Sequence, residues 1–303
     1  MWQDRRAIDL LGTEHPILQA PMAGSTNPQL VAAVCGAGGL GGLGAAGSSP
    51  DGLRSAVREV RALTDRTFNV NLFNASTEDF DRQARLGPRL TELLGSYHSE
   101  MNLGPIPDPI PLFGPAELQL EVLIEEGVPV ISFHFGVDAS TVARAREAGA
   151  KVLCSATTVG EARLLEETGV DAIIAQGAEA GGHRGTFEGD YRRALVGTLA
   201  LVPRVVDAVS IPVIAAGGIM DARGIRNRYI EEVEAAGEAL LPYPAQYSVS
   251  RELRKEAAKR GDPSFMVMWA GQGVGLFRRQ PAAEFMSQLV ADSQRLIDRL
   301  AMG

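Results

Sequence analysis

The sequence predicts an α/β fold, specifically a TIM-type (β/α)8 barrel followed by a small helical covering domain. Short apolar runs alternate with amphipathic helical stretches, and this alternation repeats along residues 16–218. The runs end at chemically rich residues, namely Met22, Asn71, His134 and Gln176. Barrel enzymes keep their sites at these carboxyl ends of strands. The regular repetition favours a closed barrel over an open doubly wound sheet.

Seven strands are predicted in order along the chain. They are Pro16–Gly24, Leu40–Ala46, Phe68–Phe73, Val128–His134, Lys151–Ser155, Ala172–Ala175 and Pro212–Gly218. Helical stretches connect them, at Gln29–Cys35, Asp51–Leu63, Glu117–Glu126, Ser140–Ala148, Val159–Glu167 and Leu199–Val209. Parallel strands need such crossovers. In the second stretch Leu53, Val57 and Val60 recur at helical spacing. Residues 78–115 break the rhythm and are interpreted as an extended crossover or lid.

Composition limits the classes of function. The chain has 303 residues, 45% hydrophobic and 22% charged, with a net charge of −8 and no run of like charges. This balance argues against a nucleic-acid or membrane partner, and no apolar stretch is long enough to span a bilayer. No apolar signal-peptide region follows the amino terminus. Cys35 and Cys154 lie inside apolar runs, which predicts buried free thiols and a cytoplasmic location.

The most informative segment is Ile173–Gly185, a short strand that runs into a polar, glycine-rich loop. Glycines let backbone N–H groups approach a ligand closely. His183 follows Gly181 and Gly182, and a histidine exchanges a proton near neutral pH. We interpret the segment as a cofactor site with a general base beside it. A plain solvent loop is the alternative, although such a loop seldom carries Gln176, Glu179 and His183 around its glycines.

With these motifs the chain resembles the nitronate monooxygenases, formerly called 2-nitropropane dioxygenases, which are FMN-dependent barrel enzymes. The resemblance covers nearly the whole chain. The matching elements are Gln19–Gly24, Asn69–Phe73, Phe133–Gly136, Ala175–His183, Ala215–Ile219 and Trp269–Gly275. Their order along the chain, together with the Gly-Gly-His loop, makes the resemblance specific.

The resemblance implies a flavin site. Its cofactor-binding residues would be Pro21, Met22, Ala23, Asn71, Gln176, Gly181, Gly182, Gly217 and Gly218. The backbone around Pro21–Ala23 would face the flavin ring, and Asn71 and Gln176 would hydrogen-bond the flavin or its ribityl chain. The glycines would lie near the phosphate. Three structural alternatives stay open: a strand-end cap at Asn71, core packing at Met22, and a satisfied buried histidine at His134. For His134 the structural alternative is preferred.

The resemblance also implies the chemistry. FMN and O2 would oxidise alkyl nitronates, or propionate 3-nitronate, to a carbonyl compound and nitrite. His183 would be the catalytic base that takes the acidic C–H proton of a neutral nitroalkane. The partners would be a small nitro compound and O2, with a homodimer left open. Residues 1–225 would form the FMN-binding barrel and residues 226–303 the helical covering or substrate domain.

The sequence departs from the family after the seventh predicted strand. Met220–Ile225 passes directly into Arg226–Glu232, which resembles a later segment of the family. Roughly fifty residues are missing, more than one βα unit of about 30, and the seam falls within residues 223–225. The missing unit holds the eighth strand, whose loop binds the FMN phosphate in the family. A strand and phosphate loop at Phe265–Gly273 could replace it, although a covering helical region is the preferred interpretation.

Two other functions stay open. One is an FMN-dependent enoyl-ACP reductase-like oxidoreductase, which shares the barrel group and uses NAD(P)H efficiently. The other is a non-catalytic remnant of the family that keeps the surface of the fold and binds a small anion or a partner. The missing phosphate strand favours this remnant.

Overall fold

Six parallel strands form one half-barrel sheet in sequential order. They are β1 (Gly41–Gly44), β2 (Phe68–Phe73), β3 (Val130–His134), β4 (Lys151–Ala156), β5 (Ala172–Gln176) and β6 (Val213–Ala216). The computed structural model describes residues 2–74, 85–110, 116–217, 223–224, 226–242, 244–266, 268–270 and 279–301. The α/β class and six of the predicted strands are confirmed.

Helices cross over between the strands, and others follow the sheet. They are α1 (Arg6–Leu11), α2 (Pro28–Gly36), α3 (Pro50–Leu63), α4 (Pro88–Glu100), α5 (Ala116–Glu125), α6 (Ala139–Glu147), α7 (Val159–Thr168), α8 (Thr198–Val206), α9 (Arg228–Ala235), α10 (Ala245–Val249), α11 (Arg251–Arg260) and α12 (Ala282–Ala301). Local sequence sets several starts: Ser49, Asp138 and Thr158 accept hydrogen bonds from N–H groups in the first turns of α3, α6 and α7. No helix in the described part is long and apolar enough to cross a membrane.

The first predicted strand, Pro16–Gly24, pairs with the chain before β1 only around Leu18 and is otherwise not a strand. Only Leu18 forms a parallel bridge, with Leu40 just before β1. Beyond Leu18, side-chain oxygens accept hydrogen bonds from the N–H groups of β1, where backbone carbonyls of a paired strand would otherwise accept them. Gly42 N–H donates to Gln19 Oε1 at 3.0 Å, and Gly44 N–H donates to Thr26 Oγ1 at 3.0 Å. Beyond Gln19 the segment therefore runs beside β1 and contacts its N–H groups through side chains instead of a backbone ladder.

The two faces of the sheet bury different cores. The face toward the crossover helices carries the main apolar cluster, which includes Val70, Ile131, Phe133, Cys154 and Ile173. The opposite face is apolar only toward the amino ends, at Leu11, Leu40, Val130, Leu153 and Ala172. Cys35 and Cys154 are buried free thiols, as predicted.

Helix α4 belongs to a helical layer outside the sheet, although its residues lie in the predicted crossover. Leu90 and Leu94 of α4 pack with Val233 of α9 and Val249 of α10. The last helix, α12, lies elsewhere: it contacts α2, and Met286 is buried beside the turn that precedes β1. The layer therefore combines residues from both sides of position 225, and that domain boundary stays a prediction.

Phe265–Gly273 does not add a parallel strand to the sheet in its described part. Pro263–Phe265 is a 3-10 helix. Trp269–Ala270 (β8) pairs antiparallel with Arg223–Gly224 (β7) in a separate two-stranded sheet. The predicted phosphate loop at 271–273 lies outside the described residues.

Candidate functional site

Polar side chains line the carboxyl half of the sheet face opposite the crossover helices. All are less than a tenth exposed, and they are Asn69, Asn71, Ser132, His134, Ser155 and Gln176. Hydrogen bonds join them across strands: Asn71 Nδ2 donates to Ser132 Oγ at 3.0 Å, and His134 Nδ1 lies 3.0 Å from Ser155 Oγ. We call these six side chains the polar edge. Buried polar groups are costly unless they are hydrogen-bonded, so the bonds between them make the polar edge an ordered feature of the fold.

Pro21, Met22 and Ala23 lie against the carboxyl end of β1. A Cβ at Gly44 would come within 2.4 Å of Ala23 N, so the close approach requires glycine. Gly44 pairs in register with Asn71, which places this loop beside the polar edge. The Met22 side chain is 43% exposed, so the core-packing alternative is wrong.

The two asparagines of β2 converge on Ser132 of β3. Asn71 Nδ2 donates to the Ser132 carbonyl at 3.2 Å and to its hydroxyl at 3.0 Å. It thus ties two strands together rather than capping its own strand. Asn69 Nδ2 donates to the same hydroxyl at 2.9 Å. Asn69 Oδ1 is buried and accepts no hydrogen bond from the described residues, which leaves an acceptor for a ligand or a water molecule.

The His183 loop is held down by two buried side chains. Gln176 Nε2 and His134 Nε2 both donate to the His183 carbonyl at 2.9 Å. Gln176 Oε1 accepts from Gly185 N–H at 2.8 Å, so its amide fastens the loop on both sides of residue 184. A Cβ at Gly185 would approach the His134 ring to 2.6 Å, which explains a glycine there.

Aromatic rings surround His183, and sequence reasoning did not single them out. The Phe73 ring lies 5.1 Å from the His183 ring and the Phe135 ring 6.4 Å from it, both edge to face. Phe135 has φ of 71°, a left-handed conformation that few non-glycine residues adopt. Such strain concentrates at functional sites. The signal in the sequence was the position of the two phenylalanines: Phe73 is the last residue of β2, and Phe135 directly follows β3.

Burial sets the charge state of both histidines. Desolvation lowers the pKa of His183, and it lowers the pKa of His134 to about 4. Both rings are therefore neutral near pH 7. His134 is 8% exposed and both its nitrogens are hydrogen-bonded, which confirms it as a satisfied buried histidine. A neutral His183 has the protonation state that a general base needs.

The predicted phosphate glycines lie around the end of β6. Gly217 has φ of 102°, and a Cβ there would come within 2.6 Å of Ala180 N. Gly217 therefore packs directly on the glycine loop. Gly181 is partly buried, and Gly182 is exposed with φ of 77° and open space around its Cα. Gly218 lies outside the described residues.

Sequence reasoning missed a buried carboxylate beneath the loop. Glu161, in the first turn of α7, is 0% exposed. One oxygen accepts from the N–H and hydroxyl of Thr157 at 2.6 Å, and the other from Phe187 N–H at 2.7 Å. It thus ties the far part of the loop to the end of β4. The capping pattern Thr158-x-x-Glu161 was the signal that could have found it.

Comparison with known proteins identifies relatives for this architecture. The nitronate monooxygenase family model matches residues 4–227 and again 220–292, in two overlapping pieces. A nitronate monooxygenase of Pseudomonas aeruginosa is 37% identical over 353 residues, covering 95% of this chain and 98% of that protein. A probable nitronate monooxygenase of Staphylococcus aureus is 35% identical over 347 residues, covering 96% and 97%.

Solved structures agree with these sequence relatives. A nitroalkane oxidase from Streptomyces ansochromogenes superposes with a TM-score of 0.81 at 33% identity, covering 98% of this chain and 100% of that one. FabK from Thermotoga maritima superposes with a TM-score of 0.66 at 27% identity, covering 98% of both chains. The family model covers most of the chain, and the relatives align over nearly its whole length. The chain therefore belongs to the nitronate monooxygenase family, a family of oxidoreductases.

Proposed function

We propose that this chain oxidises alkyl nitronates, or propionate 3-nitronate, to a carbonyl compound and nitrite with FMN and O2. The observation that carries the proposal is His183, a desolvated neutral imidazole held at the carboxyl edge of the sheet. The relatives named nitronate monooxygenase and nitroalkane oxidase support the same reaction class. The substrate is therefore a small nitro compound. A cytoplasmic location and a homodimer stay predictions.

We propose that the sheet is a (β/α)8 barrel whose eighth βα unit is absent, with a helical covering domain after residue 225. The alignment with the Pseudomonas relative extends over 353 residues, more than the 303 of this chain, so the relative has residues that this chain lacks. The family match divides at 220–227, where the sequence departs from the family. The strand before that point, β6, is only partly buried at every residue, as expected beside a missing neighbour.

The described residues fit the ring end of FMN. Asn69 Oδ1 is an unpaired buried acceptor on the polar edge, and Met22 and Ala23 are exposed beside it. Pro21, Met22, Ala23 and Asn71 would hold the ring and ribityl chain. The glycines at 181, 182, 217 and 218 would lie near the phosphate, because closely approached backbone amides bind anions. When bound, FMN would supply the redox chemistry of the nitronate and O2.

His183 would carry out the proton step. A ring nitrogen of the neutral imidazole accepts the acidic C–H proton of a nitroalkane, which leaves the nitronate anion and an imidazolium. Phe73 and Phe135 exclude water from one side of this ring, which strengthens the attraction between the two charges formed. Gln176 and His134 hold the His183 carbonyl and so keep the imidazole in place.

Turnover assays test the proposal. Purified protein reconstituted with FMN should absorb as a flavoprotein, consume O2 and release nitrite from a neutral nitroalkane and from its preformed nitronate. Absence of nitrite from both substrates, with FMN bound, would refute the proposal. The alternative reductase function is favoured only by the likeness to FabK, and it predicts rapid NAD(P)H oxidation with an enoyl thioester.

A further inference from the structure

We infer that Arg184 is a positioning residue that closes the His183 loop and thereby keeps water away from the His183 ring. The inference rests on the proposed role of His183 as the base. Arg184 follows His183 directly, and its half-buried side chain reaches back beneath the loop to backbone carbonyls.

The guanidinium joins the beginning of the loop to its end. Arg184 Nη1 donates to the carbonyls of Gln176 and Gly177, each at 2.7 Å. Arg184 Nη2 donates to the carbonyl of Ala194, close to the start of α8, and lies 3.5 Å from the Thr157 carbonyl at the end of β4. One side chain therefore gathers backbone from the ends of two strands and from the far end of the loop.

Only arginine suits this geometry. A guanidinium offers five N–H donors in a rigid plane, whereas a lysine ammonium is one compact charge. The position is costly, because burial lowers the pKa of Arg184 and its buried Nε has no acceptor among the described residues. Its bonded partners are carbonyls rather than a carboxylate. A charge kept at such a cost indicates that closing the loop matters for the site.

The residues on both sides of Arg184 show what it holds. The His183 carbonyl accepts two hydrogen bonds and Gly185 N–H donates one, all involving buried side chains. Arg184 anchors the peptide between them. Loss of the guanidinium would free the loop ends, and water would reach the His183 ring. Since desolvation is what lowers the pKa of His183, the pKa would rise toward its ordinary value.

The charged and titratable groups that interact with His183 or Arg184 come from three elements. His134 approaches from β3, and Glu161 lies below on α7. Glu179, in the same loop, accepts from Thr198 N–H and hydroxyl at the start of α8. These three groups have hydrogen-bond partners other than Arg184. Replacing Arg184 would therefore open the loop and leave those hydrogen bonds in place.

The test compares Arg184→Lys and Arg184→Met with Arg193→Met, a control at an exposed arginine of the same loop. Arg184→Met should lower kcat/KM for a neutral nitroalkane about 10- to 100-fold, because a displaced catalytic group costs this much. The preformed nitronate should lose about threefold or less, since no proton is removed from it. Arg184→Lys should fall between wild type and Arg184→Met, and Arg193→Met should match wild type.

An NMR titration of the histidine C–H signals supplies a readout independent of turnover. The chain has four histidines, and His183→Asn assigns the signal. The pKa of His183 should rise in both Arg184 variants and stay unchanged in Arg193→Met. Equal losses on both substrates with an unchanged pKa would overturn the inference. If wild type turns over neither substrate, the proposed function fails and the titration still decides the inference. If Arg184→Met does not fold, Arg184→Lys decides it.

Discussion

The two ends of the polar edge differ in how well the fold encloses them. Every residue of β3 is buried, whereas every residue of β6 is only partly buried. Helix α8, beside β6, buries Leu201 on one side but leaves Leu199 92% exposed on the other. His183 and its supports, the proposed proton-transfer residues, lie at the enclosed end. Gly217, a proposed phosphate-binding glycine, lies at the open end, which is where the proposed missing unit would pack.

The comparison divides the proposed flavin site into two parts that depend on different strands. His134, Gln176 and the His183 loop depend on β3 to β5, whose neighbours are all present. The phosphate end depends on loops that follow the last strands of a barrel. The proposed deletion therefore affects cofactor affinity more than it affects the base.

The largest effect should follow loss of the base at the enclosed end. His183→Asn should lower turnover of a neutral nitroalkane by about 10²- to 10⁴-fold, because asparagine accepts no proton. Activity on preformed nitronate should be much better preserved. Nitrite release from both substrates measures the difference, with His15→Asn as a control distant in sequence. Equal losses on both substrates would contradict the assignment of His183.

The next largest effect concerns FMN affinity at the open end. In the proposed barrel the eighth-strand loop is absent, and a phosphate dianion that loses two charge-assisted hydrogen bonds loses about 1.5–3 kcal/mol for each. FMN should therefore bind at least about a hundredfold more weakly than to a version with the unit restored. Fluorescence titration of the apo-protein measures both affinities. Sub-micromolar affinity in the 303-residue chain would show that another segment has taken over the phosphate.

Helix α8 offers a direct comparison of the buried and open sides. Leu201→Ala removes a side chain that is 2% exposed and should destabilise the protein by about 2–5 kcal/mol. Leu199→Ala removes one that is 92% exposed and should change stability by about 0.5 kcal/mol or less. Urea unfolding of both variants gives the free energies. A large cost at Leu199 would mean that a second copy or another segment covers this side.

The last prediction is a pH dependence of stability at the enclosed end. Burial lowers the pKa of His134 to about 4, so the unfolded chain, with an ordinary pKa of about 6.5, binds this proton first as pH falls. The stability contributed by neutral His134 is present above about pH 6.5 and is lost toward pH 4, by about 3 kcal/mol at most. His134→Gln should lack this dependence. The free energy of unfolding of both proteins is measured by urea unfolding from pH 7 to pH 4. The prediction is wrong if this free energy falls with pH by the same amount in both.

Local sequence was sufficient for the elements whose contacts are local. The third predicted strand, Phe68–Phe73, coincides with β2, because apolar residues bounded by polar turns identify a buried strand. The first predicted strand failed for a non-local reason. Its apolar pattern is real, but Gln19 and Thr26 bond the N–H groups of β1 with their side chains. No periodicity in the segment itself reveals that competition.

For the site, the sequence identified the residues better than what each of them contacts. His183 and Gln176 were found from their place after a strand, in a glycine-rich loop. The role expected of Gln176 was to bind flavin, yet both ends of its amide bond the backbone of the His183 loop. Arg184 and Glu161 were missed because an arginine or a glutamate in a loop or helix is usually solvated.

The sequence by itself determined the α/β class, the order of the parallel strands, the glycine loop with its histidine, and the departure after β6. These depend on period, spacing and neighbouring residue types. Only the tertiary structure decided that His134 is a buried support, that Glu161 and Arg184 anchor the loop, and that α4 packs with α9 and α10. Burial and hydrogen bonds between distant residues arise only when the chain has folded, and they determine which polar groups remain available to a ligand.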